Sequence, residues 1–151
     1  MRISREQMFM DIAEIVAKRS ACLRNNVGCV VVNNKNNIVA IGYNGPAAGL
    51  PQCIEDSCCA GCDIAIHAED NAILRMPPKD PQSFGTPNTH SLYVTVSPCK
   101  NCAKLIVDRG DIDKVYYRYP YRIPDGIYYL LSKGIKVYKI LTGGIIHEEK
   151  L

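Results

Sequence analysis

The chain has no tryptophan and little charge of one sign, with 18 Lys and Arg against 15 Asp and Glu in 151 residues. Grooves that hold single-stranded nucleic acid combine a basic lining with stacking aromatics. Neither is present in strength, so no stable nucleic-acid partner is expected. Long apolar runs are missing too. No stretch approaches the roughly 20 residues that span a bilayer, which excludes a membrane partner of that kind. The first twenty residues set Asp11 and Glu14 among their apolar positions and lack the apolar core of a secretory signal. The expected location is therefore cytoplasmic. Internal repeats and low-complexity segments are also lacking. The length and 47% apolar content suit one domain, 1–151, with a single core. A mild net charge of +3 is compatible with a small anionic ligand.

Cysteine, by contrast, is plentiful: Cys22, Cys29, Cys53, Cys58, Cys59, Cys62, Cys99 and Cys102. Without a secretory signal such a set points to metal ligation rather than disulfides. Cys29 sits inside an apolar run and reads as a small core residue.

Ser4 with Gln7 reads as a capping box, followed by Met8, Ile12, Ile15 and Val16 at helical period. The runs 27–33 and 38–43, joined by an Asn-rich turn, predict a hairpin. Residues 44–66, rich in Gly, Pro and Cys, form an irregular excursion. A helix is predicted from His67 to Met76, stopped by Pro77 and Pro78. Strand 92–96 follows, then a helix from Pro98 to Gly110 with Ser97 as its cap. Strand 115–119, helix 124–133 and strand 136–141 complete the order. A hairpin followed by strand–helix alternation implies right-handed crossovers. The predicted fold is α/β: a three-layer sandwich around a mixed five-stranded sheet. His90 and His147 read as solvated.

The chemistry concentrates in His67-Ala68-Glu69 and, about thirty residues on, Pro98-Cys99-Lys100-Asn101-Cys102. One imidazole and two thiolates give three protein ligands for tetrahedral zinc and leave the fourth position for water, the arrangement of a catalytic site. Glu69, two residues past the histidine, can move protons without binding the metal. H-x-E with P-C-x-x-C is the signature of zinc-dependent hydrolytic deamination of nucleobases. Both halves are predicted at helix starts, where partial positive charge favours thiolates. A closed structural zinc site is the bland alternative; it leaves Glu69 without a purpose and lacks a fourth ligand nearby.

Val27-Gly28, Gly42-Tyr43-Asn44-Gly45, His67 to Leu74 and Leu92 to Lys104 together resemble the deoxycytidylate (dCMP) deaminase family over nearly the whole chain. The resemblance implies hydrolysis of dCMP to dUMP and ammonia, supplying dUMP for thymidylate. It implies Asn44 beside the substrate sugar and Tyr121 as a substrate contact. Arg24 and the Tyr121-Arg122 pair are candidates for the 5′-phosphate, since guanidinium forks match phosphate geometry. Asn26 stands where relatives commonly carry lysine. Cys22, Cys53, Cys58 and Cys62 resemble the ligands of a second, structural zinc, with Cys59 an alternative to Cys58. Homohexamers, activation by dCTP with Mg2+ and inhibition by dTTP belong to the same resemblance. Readings of another class are a deaminase acting on nucleic acid and a non-catalytic zinc module for assembly.

Overall fold

The computed structural model describes residues 1–22, 25–50, 65–79 and 89–151. Helix α1 (Arg5–Ala17) leads into the hairpin β1 (Gly28–Asn33) and β2 (Ile38–Tyr43). Two-residue strands β3 (Gly45–Pro46) and β4 (Ala65–Ile66) pair at the base of the predicted excursion. Then come α2 (Ala68–Arg75), β5 (His90–Val96), α3 (Lys100–Arg109), β6 (Ile112–Tyr119), α4 (Asp125–Ser132), β7 (Lys136–Ile140) and β8 (Ile146–Glu148).

The main sheet has the order β2-β1-β5-β6-β7-β8. Strands β5, β6 and β7 run parallel; β1 is antiparallel to both neighbours, and β8 is antiparallel to β7. The three-layer architecture is the predicted one, but the sheet has six strands rather than five. The additional strand β8 is short and exposed along its whole length, so no hydrophobic alternation announces it. Its backbone pairs with the edge of β7, and Glu149 accepts a hydrogen bond from the Tyr117 hydroxyl.

Alternation along the strands divides the core in two. Val30, Val32, Tyr93, Tyr116 and Ile140 meet Phe9, Met10 and Ala13 of α1. Their neighbours Cys29, Val31, Leu92, Val94, Val115 and Val137 face α2, α3 and α4 on the other side. Cys29 is fully buried, as its strand position predicts. Stacked tyrosines 93, 116 and 138 cross three strands under α1, with ring centroids 4.5 and 4.9 Å apart.

Local signals act mostly as read. The Ser4 hydroxyl accepts from Gln7 N at 3.1 Å, but the Gln7 amide donates to Asp11 instead of closing the box. In the Asn-rich turn, the Asn33 side chain accepts from Lys35 N and Asn37 N, while Asn36 takes φ 63°. His90 is buried, not solvated: it opens β5 and its ring nitrogen lies 3.1 Å from the Asp111 carbonyl. His147 is exposed. Among the described residues no helix is long and apolar enough to cross a membrane.

Gly42 lets α2 lie against β2. A Cβ there would sit 2.4 Å from both Ala68 O and Ala72 N, which are backbone atoms of the helix. Gly42→Ala is therefore expected to destabilise the fold by about 2–3 kcal/mol, seen as a Tm lower by roughly 5–10 °C. Gly45→Ala, with open space around the added carbon, serves as the control and should leave Tm unchanged.

Candidate active site

The ends of β5 and β6, where the parallel strands finish, open into a cavity of about 540 Å3. Ligands of open α/β sheets bind at such carboxyl ends, because the loops there diverge from the sheet. Helices α2 and α3 both begin at this edge.

His67 is the N-cap of α2 and Cys99 the N-cap of α3, each in extended backbone conformation. Neither side chain caps its own helix. N-caps are usually Ser, Thr, Asp or Asn, and a residue without that hydrogen bond costs about 1 kcal/mol. Here the cap side chains are instead turned toward each other. The helices still begin normally, with Asn71 N bonded to His67 O and Ala103 N to Cys99 O. Cys102 follows Cys99 by three residues and so lies on the same helical face.

His67 Nδ1 lies 3.2 Å from Cys102 Sγ and 3.6 Å from Cys99 Sγ. All three donor atoms fall within 4.8 Å of one another. Tetrahedral zinc with bonds of about 2.3 Å to sulfur and 2.0–2.1 Å to nitrogen holds neighbouring donors about 3.5–3.8 Å apart. The donor set and its spacing fit that ion. Electrostatics agree. Hydrogen bonds from Cys102 first, and from His67 second, hold the Cys99 thiol down to about 3. Cys102, donating to that thiolate, is driven strongly upward, and the Cys99 partner raises His67 to about 9. Donors so close share protons, and a cation binding among them displaces those protons.

Glu69 sits in the first turn of α2 and is 4% exposed. Burial pushes its carboxyl up to about 7, with His67 opposing the shift and Cys99 and Asp70 adding to it. It lines the same cavity as His67 and Cys99.

Asn44, Tyr121 and Arg122 line this cavity as well. The Asn44 amide is already engaged by backbone: its oxygen accepts from Val27 N at 2.8 Å and its nitrogen donates to Asn25 O at 2.7 Å. Each amide atom keeps a second hydrogen-bonding position for a ligand. Arg122 packs over the Tyr121 ring, 5.8 Å from its centroid, and is the one guanidinium among the described lining residues. Asn26 is exposed and lies off the cavity; Asn25 and Val27, on either side of it, form that wall. Period-two alternation could have singled out Asn25. Arg24, Cys53, Cys58, Cys59 and Cys62 lie outside the described residues. Cys22 is half-buried at the cavity wall, in no disulfide among the described residues.

Ser97 departs from its predicted part. Cys99, not Ser97, caps α3, and the helix starts at Lys100 rather than Pro98. The Ser97 hydroxyl instead accepts from Tyr121 N at 2.7 Å.

The family model for the cytidine and deoxycytidylate deaminase zinc-binding region matches residues 3–119. ComE operon protein 2 of Bacillus subtilis is 40% identical over 125 residues, covering 80% of this chain and 62% of that protein. The deoxycytidylate deaminase of Schizosaccharomyces pombe is 34% identical over 127 residues, covering 77% of this chain and 38% of that one. The chain thus spans less than two thirds of the length of these relatives. A crystal structure of dCMP deaminase from the cyanophage S-TIM5, in complex with dCMP and dUMP, superposes with a TM-score of 0.78. It is 37% identical, and the match covers 92% of this chain and 98% of that chain. With the family model matching most of its length, and a His67, Cys99 and Cys102 group able to hold a metal ion, the chain belongs to the cytidine and deoxycytidylate deaminase zinc-binding family.

Proposed function

We propose that the protein is a zinc-dependent dCMP deaminase, acting as one domain in the cytoplasm to convert dCMP and water into dUMP and ammonia. The observation that carries this reading is the convergence of His67, Cys99 and buried Glu69 on one cavity that also holds Arg122, with the Cys102 sulfur grouped beside His67 and Cys99. His67 through Nδ1 and the two cysteine sulfurs would hold the metal. Zinc bound there supplies Lewis acidity that lowers the pKa of a coordinated water toward neutrality.

The chain's own groups do the rest. Glu69 takes a proton from the attacking water as its oxygen bonds to C4 of the cytosine ring. The carboxyl group hands that proton to ring N3. Glu69 then takes the remaining proton from the C4 hydroxyl and delivers it to the amine, so that the C4 carbonyl forms as the C4–N4 bond breaks and ammonia leaves. Burial keeps bulk water from competing for these protons. Asn44 is suited to a sugar hydroxyl, and the Tyr121–Arg122 pair to the 5′-phosphate. Arg24 remains a candidate for the 5′-phosphate on guanidinium chemistry, and Asn26 a substrate-side position on the resemblance.

Three finer assignments share that support. Cys22, with Cys53, Cys62 and either Cys58 or Cys59, holds a second, structural zinc. The chain assembles as a homohexamer. It responds to dCTP with Mg2+ as activator and to dTTP as inhibitor.

The test is ammonia release from dCMP, CMP, dCTP, deoxycytidine and a cytosine-containing oligonucleotide, with zinc per chain measured on the same sample. Turnover of dCMP above the others, with two zinc ions per chain, is the expected result. Turnover of the oligonucleotide alone would reassign the substrate, and zinc bound without any turnover would leave a non-catalytic module.

A further inference from the structure

Resting on that reading of the substrate, we propose that Ser97 is a positioning residue that couples the zinc-binding turn to the phosphate side of the cavity. Ser97 is buried, 3% exposed, and stands at the end of β5, directly before Pro98 and Cys99. It grips the chain on both sides of Pro120. Its backbone N–H donates to Tyr119 O at 2.9 Å, and its hydroxyl accepts from Tyr121 N at 2.7 Å. Pro120 between those anchors has a fixed φ, so little freedom remains in the turn that leaves β6.

The fixed Tyr121 backbone sets the origin of its ring, and that ring carries the Arg122 guanidinium 5.8 Å from its centroid. Ser97 therefore reaches Arg122 through two well-defined contacts. No capping duty accounts for the hydroxyl, because Cys99 begins α3 without it. An alanine at 97 leaves the Tyr119 contact intact, since that uses backbone, but frees Tyr121 N. Ser97 would thus act on recognition of the phosphate and not on the metal or on Glu69.

The experiment uses the full, zinc-loaded chain and four variants: Ser97→Ala, Ser97→Thr, Arg122→Ala and the Ser97→Ala/Arg122→Ala double. Expected for Ser97→Ala is a KM for dCMP higher by about five- to tenfold, matching loss of one buried hydrogen bond. Its kcat should stay within twofold and its zinc content should be unchanged. For deoxycytidine, which lacks the phosphate, kcat/KM should stay within twofold. Ser97→Thr keeps the hydroxyl and should recover most of the KM. In the Arg122→Ala background, Ser97→Ala should add less than twofold, since both act on one contact.

An unchanged KM, or additive effects with Arg122→Ala, would overturn the proposal. So would parallel losses of zinc and kcat, which would make Ser97 a support of the metal turn. Those outcomes leave dCMP turnover by the parent protein standing. Failure of the parent to deaminate dCMP would remove the functional reading and this proposal with it.

Discussion

Glu69→Gln is expected to lower kcat for dCMP by about 10³-fold or more while zinc content and Tm stay at the parent's values. Positioned acid–base groups contribute roughly 10²–10⁴ in rate, and in the proposed mechanism one carboxyl serves both proton transfers. The amide matches the carboxylate in size, so the packing around position 69, which is 4% exposed, is retained. Glutamine also removes the desolvation penalty on a buried acid, the main influence on this carboxyl in the fold. Stability should therefore not fall. The proposed ligands are other residues, His67, Cys99 and Cys102, whose donor atoms lie within 4.8 Å of one another. Metal analysis and steady-state kinetics on one preparation check both halves. Loss of zinc in proportion to activity would make Glu69 a ligand and end the proton-transfer role. Retention of full kcat would end it as well.

Much of this site is legible in the chain because its residues sit where local rules operate. His67 and Cys99 mark helix starts, and Cys102 follows by three residues, so the face they share is written in their spacing. Strand identity follows from continuous β-branched runs such as Cys29 to Val32, which is buried throughout. What escapes is decided by partners distant in sequence. Ser97 before Pro98 has the pattern of a cap, yet its hydroxyl is claimed by Tyr121, 24 residues away. His90 stands among polar neighbours in sequence, and its burial follows from its place in the sheet and from the backbone and carboxylate of Asp111 beside it. Asn44 belongs to a turn-like Asn-Gly pair, and its amide fastens residues 25 and 27 across the cavity wall. Strand β8 exists because β7 offers an unpaired edge; its own residues are exposed and carry no periodic signal.

Gly126 is the strongest case of a residue whose importance sequence conceals. In the chain it is a poor helix former near the start of α4, with no evident reason to be there. In the fold, a Cβ at 126 would lie 1.9 Å from Pro98 O and 2.9 Å from the carbonyl carbons of Pro98 and Cys99. These are backbone atoms of the turn that presents Cys99, so no side-chain rotation relieves the overlap. Either α4 retreats or the turn moves. The parent donor distances of 3.2 and 3.6 Å leave little room for a displaced sulfur. Supporting contacts around metal ligands typically govern about 10–100-fold in metal affinity or activity. Gly126→Ala, which forces the backbone of Pro98 and Cys99 itself to shift, is expected at or beyond the upper end of that range. Competition with a chromogenic zinc chelator should show affinity at the His67–Cys99–Cys102 site weaker by about 100-fold. Activity at limiting zinc should fall in parallel, and excess zinc should restore part of it. Glu69→Gln should respond in the opposite sense, keeping its zinc and gaining no activity from excess metal. If Gly126→Ala binds zinc as tightly as the parent, α4 does not brace the Cys99 turn, and the glycine serves helix packing alone.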